Sequence, residues 1–264
     1  MIIDCHQHLP RLQDGKTFEH SREILLRELE KNKIDYAILI PDNKPISTIG
    51  NLNQVLEVTK DYNQLFVMGT VDIQRKTQNQ MEELDALLQD GKIFGVKIFP
   101  GHDPIYPTDK RLSSVYDLCI KHDTPKVIHT GGTPKNPKAA KYNDPKYIAK
   151  VADRFPELKI VIAHYFFPNV EYCHELTKKH EKIYFDTSAL ADDWVVDMTG
   201  IDRIRKVLAS TIVEHPNNVV FGTDYAICDI GKHLALVDSL DIEDELKSKV
   251  FYENAIRLFN LSSI

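Results

Sequence analysis

The chain has 264 residues, a formal net charge of −6 and four cysteines. That length can bury a full α/β core, and no Gly/Ser/Pro linker or break in composition divides it, so one domain spanning residues 1–264 is expected. Basic residues are interspersed with acids, which argues against a polyanion-binding face; no apolar run approaches the ~20 residues of a membrane helix.

The chain then alternates short apolar runs with segments of helical spacing. The runs are Ile2 to His6, Tyr36 to Ile40, Leu65 to Val71, Phe94 to Phe99, Pro125 to His129, Lys159 to His164, Lys182 to Asp186 and Asn218 to Asp224. Their near-continuous Val/Ile/Phe content suits parallel strands buried on both faces. Between them, Leu25 with Leu29, Leu52 with Val55, Leu56 and Thr59, Met81 with Leu84 and Leu88, and Ile148 with Val151 and Phe155 repeat at helical intervals. Asp144-Pro145 reads as an N-cap followed by a first-turn proline, and Phe155-Pro156 closes that helix. About eight strand-helix units in a chain of this size predict a (β/α)8 TIM barrel. The first run begins at residue 2, which leaves no room for a signal peptide, and a soluble cytoplasmic protein is expected. Cys5, Cys119, Cys173 and Cys228 have no C-x-x-C spacing and read as free core residues.

In such a barrel the reacting groups come from the C-terminal ends of different strands. His6 and His8, two apart on the first run, project to one side and can aim two imidazoles at one divalent ion. On its own the motif is weak, since a shuffled chain of this histidine content holds about 0.5 such His-x-His pairs. Here it is joined at other strand ends by Lys97, His129, His164, Asp186 and Asp224. His102 lies in the loop after the fourth run, on the catalytic side, where substrate contact is expected. Tyr225 follows Asp224 in a loop that adds an aromatic wall, and Gly131-Gly132 should let backbone approach a ligand closely. Asp186-Thr187-Ser188 is placed to steady a ligand histidine. The remaining histidines, His20, His122, His174, His180, His215 and His233, read as surface residues.

The pieces Ile3-Asp4-Cys5-His6-Gln7-His8, Gly95-Val96-Lys97-Ile98-Phe99-Pro100, Val127-Ile128-His129, Ala163-His164-Tyr165, Phe221-Gly222-Thr223-Asp224-Tyr225 and Glu253-Asn254-Ala255-Ile256-Arg257-Leu258-Phe259 together resemble the amidohydrolase superfamily, in its amidohydrolase-2 branch of hydrolases and decarboxylases. The resemblance implies one divalent metal, commonly zinc with manganese as the alternative, held by His6, His8, His129 and Asp224. It implies His164 as catalytic acid/base. By residue chemistry, Asp224 can ligate through one oxygen while the other orients or deprotonates a bound water. Three imidazoles and a carboxylate with an open position are the donors such an ion prefers. Lys97 is expected to bind a substrate carboxylate or pair with Asp186; as a bridging carbamate it would need a second metal.

The function expected is hydrolysis of a small, carboxylate-bearing ester, lactone or amide, with nonoxidative decarboxylation of an aromatic or unsaturated acid as the alternative. Decarboxylases of this branch tend to be longer, and this chain is near the minimum for the barrel. A TatD-type deoxyribonuclease resembles the chain in its opening His-x-His, but it would carry a strand-4 Glu where Lys97 stands and Glu-Thr-Asp where Gly222-Thr223-Asp224 stands. A non-catalytic metal-binding barrel is the remaining alternative. The partner expected is a small-molecule substrate, with no nucleic acid and no membrane, and a homodimer is left open.

Overall fold

The computed structural model describes residues 1–75, 78–132 and 137–261. Its strands are β1 (Ile3–Gln7), β2 (Tyr36–Leu39), β3 (Leu65–Val67), β4 (Gly69–Thr70), β5 (Val96–Ile98), β6 (Lys126–His129), β7 (Ile160–Ala163), β8 (Ile183–Asp186) and β9 (Val219–Val220). Neighbours in the order β1-β2-β3 and β4-β5-β6-β7-β8-β9 pair in parallel. Every expected strand is present. The expected run from Leu65 to Val71 is divided at Met68, so that its first part pairs with β2 and its second with β5.

Backbone bonds carry the ladder across both seams. At the division, Met68 N–H donates to Leu39 O at 2.8 Å and Phe94 N–H to Val67 O at 3.0 Å. At the other seam Cys5 N–H donates to Phe221 O at 2.9 Å and Asp224 N–H to His6 O at 2.8 Å, while Gln7 pairs in parallel with Tyr225. The first and last strands are therefore neighbours, as a (β/α)8 TIM barrel requires.

Helices α1 (Phe18–Lys31), α2 (Leu52–Thr59), α3 (Gln78–Gln89), α4 (Ser113–Lys121), α5 (Pro145–Arg154), α6 (Val170–Thr177), α7 (Asp193–Thr199), α8 (Ile201–Glu214), α9 (Ile230–Asp238), α10 (Asp244–Ser248) and α11 (Asn254–Leu258) follow the strands. Their starts are chemically marked. Asn51 and Gln54 form a reciprocal capping box on α2, and Asp144 caps α5 through Lys146 N–H with Pro145 in the first turn. The helices bury their apolar stripes on an outer layer that includes Leu25, Leu29, Leu84, Leu88, Ile148 and Val151. A second apolar cluster joins Ile38, Ile40, Phe66, Met68, Val127 and Val161 to Ala255, Leu258, Phe259 and Leu261 of the C-terminal segment. Asn254 donates to Pro216 O and Val219 O, and Asn260 to Asp123 O, all at strand entrances. The C-terminal helix thus closes the end of the barrel away from the strand exits.

All four cysteines are free and buried. Two of the histidines expected at the surface are not there. His174 is buried between α6 and α8, with its Nδ1 at 3.0 Å from Thr211 Oγ1 and its Nε2 at 3.3 Å from Glu214. His233 is buried with its Nδ1–H on Asp229 O at 2.8 Å and its Nε2 accepting from Ala191 N–H at 3.3 Å. Both have polar partners on both ring nitrogens, which removes the cost of burying them. No helix among the described residues is long and apolar enough to cross a membrane.

Candidate metal and active site

The strand exits bring His6, His8, Lys97, His129, His164, Asp186 and Asp224 into one polar cluster, all of it buried. At the end of β1 the pairing with β2 shifts register between Asp4 and Gln7. Such an irregularity re-aims side chains. The rings of His6 and His8 lie 5.7 Å apart. Their outward nitrogens are fixed by acceptors: His6 Nδ1–H donates to Asp186 Oδ2 at 2.7 Å and His8 Nδ1–H to Ile40 O at 2.7 Å. Each therefore turns an Nε2 lone pair inward.

Those lone pairs meet Asp224. Its Oδ1 lies 3.2 Å from His8 Nε2 and 3.6 Å from His6 Nε2. Three acceptors facing one another repel unless positive charge lies among them; the Lys97 ammonium, 3.3 Å from His6 Nε2, supplies it at one edge, and a cation would supply it at the centre. His164 adds a further donor atom: one ligand atom from each of His6, His164 and Asp224 fall within 4.8 Å of one another. This convergence of imidazole nitrogens and a carboxylate fits a zinc-like divalent ion, which relieves the repulsion that the bare donor set creates. Asp224 is held well below the usual carboxylate range, because His164, the His8 contact and His6 outweigh the opposing effect of burial.

His164 and Asp224 both have φ +64, in the left-handed region that non-glycine residues seldom enter. The turn at His164 is anchored by Thr130, whose hydroxyl donates to Ala163 O and accepts from Phe166 N–H at 2.8 Å. Burial pushes the His164 imidazole down to about 3, with His6 and Lys97 acting in the same direction. His129, at the end of β6, is also depressed well below the ordinary histidine value, first by burial and then by His164, His102 and Lys97. Its ring packs at 4.5 Å from that of His102 and 4.8 Å from that of His164. His129 is outside the closest donor group and beside it, and His102 covers it from the loop after β5. Gly131, at φ +83, does lie on a close backbone approach, but the neighbour a Cβ would meet there is Phe167 O at 3.2 Å.

Lys97 projects from β5, fully enclosed, with its Nζ 3.3 Å from His6 Nε2 and 5.5 Å from the Phe99 ring. Burial lowers its ammonium to about 8, against the pull of Asp186 and Asp224. Asp186 ends β8. Its Oδ2 accepts from His6, and its Oδ1 accepts from His164 N–H at 3.1 Å, from Ser188 N–H at 3.2 Å and from the Ser188 hydroxyl. Burial alone would raise the Asp186 pKa, yet His6, His164 and Lys97 hold it well below the usual range. Tyr225 is half-buried, packs against the outer apolar layer and lies near Glu28 of α1.

Two further residues of this region tie its loops together, and the sequence assigns no role to either. Asp4 accepts from Gln7 Nε2 and Thr223 Oγ1, each at 2.6 Å, and from the backbone of His6 and Thr223, each at 3.1 Å, which ties β1 to the loop carrying Asp224. Burial raises its carboxyl to about 7 despite those four donors. Asn143 donates at 3.0 Å to both Pro100 O and Gly131 O, and so clamps the loops after β5 and β6 together.

The sequence profile of the amidohydrolase-2 family matches residues 3–261. The chain belongs to that amidohydrolase family. No curated protein sequence matches it. Among solved structures, an uncharacterized TIM-barrel protein from Bordetella bronchiseptica superposes with a TM-score of 0.78 at 21% identity, over 98% of each chain. An amidohydrolase from Burkholderia multivorans with bound zinc gives 0.75 at 14%, over 98% of this chain and 99% of that one. The 5-carboxyvanillate decarboxylase of Sphingomonas paucimobilis gives 0.71 at 15%, over 98% of each. These likenesses are of fold, and they span members that hydrolyse and members that decarboxylate.

Proposed function

We propose that this amidohydrolase hydrolyses a small, carboxylate-bearing lactone, ester or amide with one divalent ion. The observation that carries the reading is the inward convergence of the His6 and His8 lone pairs on Asp224, beside an enclosed Lys97 ammonium. His6, His8 and Asp224 would hold the ion, with His129 completing the set inferred from the sequence. The zinc in the Burkholderia relative supports zinc as its identity, with manganese as the alternative. When bound, such an ion polarises the substrate carbonyl and lowers the pKa of water from 15.7 to about 7.

The residues of the chain supply the rest. The depressed pKa of His164 keeps it neutral at pH 7, so it takes a proton from the attacking water. The water oxygen bonds to the acyl carbon, and the same proton then passes from His164 to the leaving oxygen or nitrogen as the acyl bond breaks. Asp224 orients the water, Lys97 binds the substrate carboxylate, and His102, packed against His129, forms the wall beside it. Tyr225 contributes to substrate binding through its backbone position next to Asp224 and Gln7.

Decarboxylation is the second reading, and Lys97 favours it, since an enclosed ammonium could hold the carboxylate that is lost. Decarboxylation also needs a proton delivered to carbon, which His164 or Asp224 would supply. Assaying the zinc- or manganese-loaded protein against panels of lactones and aromatic acids separates the two. Acid release from a lactone supports hydrolysis; carbon dioxide release from an aromatic acid, with every lactone inert, overturns it.

A further inference from the structure

Asp186 serves two histidines with one carboxylate, and the count of donors around it fixes where the protons lie. Oδ2 accepts from His6 Nδ1–H, and Oδ1 accepts from two backbone N–H groups, those of His164 and Ser188. A carboxyl proton on Oδ1 would point into those N–H groups, so the carboxylate is ionised and only accepts. The Ser188 hydroxyl, in contact with that same Oδ1, must then be the donor. Its proton is committed. The other contact of Ser188 Oγ is His164 Nδ1 at 2.8 Å, and the hydroxyl can meet it only as an acceptor.

We infer that Ser188 is a positioning residue that holds His164 as the Nδ1–H tautomer, so that the inward Nε2 carries a lone pair and enters the reaction as a proton acceptor or ligand. A single carboxylate thereby presets two inward lone pairs, on His6 directly and on His164 through one hydroxyl. The His164 turn is built for this relay: its left-handed backbone brings residue 164 over the end of β8, and Thr130 pins the turn that follows. Ser188 is fully buried, and its hydroxyl lies against Asp186 and His164.

This inference deepens the proposed base role of His164 and rests on it only for its catalytic consequence. The test is long-range proton–nitrogen NMR of the histidine rings in the metal-free protein, with His164 assigned by loss of its signals in His164→Asn. The parent is expected to show the Nδ1–H form at His164. Ser188→Ala should convert it to a mixture or to the Nε2–H form, and Ser188→Thr should restore the Nδ1–H form. An Nε2–H tautomer in the parent, or an unchanged tautomer in folded Ser188→Ala, overturns the inference. The parent spectrum decides the tautomer even if the alanine variant does not fold. If the parent binds no zinc but shows the Ser188-dependent tautomer, the metal reading fails and this one stands.

Discussion

Asp186→Asn would test the histidine pair at its hub. An amide offers one acceptor where the carboxylate offers two. With its oxygen toward the two backbone N–H groups and the Ser188 hydroxyl, its NH2 faces His6 Nδ1, which now sits 2.7 Å from a carboxylate oxygen. His6 must then move its proton to Nε2, where it meets the Lys97 ammonium at 3.3 Å. The reverse amide orientation strands two buried N–H groups at about 1–3 kcal/mol each, so the first is preferred. Losing one hydrogen bond to a charged acceptor costs about 1.5–3 kcal/mol. The metal-free variant should be destabilised by that amount in urea unfolding. Zinc binding must force the His6 proton back toward the NH2 at a similar cost, which at 1.4 kcal/mol per tenfold is a loss of about 10- to 150-fold in affinity by chelator competition. A folded Asp186→Asn protein whose zinc affinity stays within about threefold of the parent would refute the assignment of the His6 lone pair.

Three further outcomes are expected. His6→Ala combined with His8→Ala should abolish retention of about one metal per chain, measured by elemental analysis, while circular dichroism shows an intact barrel; an unfolded double variant would point to a structural metal instead. Lys97→Met should raise KM for carboxylate-bearing substrates and leave metal content at about one, whereas a fall from two metals would identify a binuclear centre with a modified lysine. Because the His164 pKa is about 3 when folded against about 6.5 unfolded, the unfolded chain binds more protons between those values, and stability of the metal-free protein must fall as pH drops through that window. His164→Asn should flatten that dependence by up to about 1.4 kcal/mol per pH unit, and an unchanged slope in urea titrations would contradict the burial argument.

The barrel was legible because apolar runs ending in His, Lys or Asp recur between helical segments, and the capping signals at Asp144-Pro145 mark their helix correctly. Division of the third run at Met68 was not, since periodicity says that a segment is extended but not which neighbour each half pairs with. The positions at strand exits could be named from spacing, and the structure gathers them; the closeness of His164 to His6 and Asp224, with His129 to one side, depends on loop backbone at φ +64 that no propensity encodes. Asp186-Thr187-Ser188 and Asp4 could be singled out at strand ends, but which partners they hold could not, because Ser188 and Asp4 bond to residues 24 and 219 positions away in the chain. His174 and His233 misled for a related reason: a polar residue on a helix is read as exposed until the opposite helix or loop supplies its partners.

The seam between β1 and the loop after β9 also sets when this centre can exist. Asp4 grips Thr223 across a separation of 219 residues, and His6 and His8 wait for an Asp224 that leaves the ribosome long after them. Loop closure over such a span is costly until the intervening units are already packed. A nascent chain therefore exposes two histidines early but has no complete cage to trap an ion, and on the proposed reading acquisition of metal would report that the ring has closed.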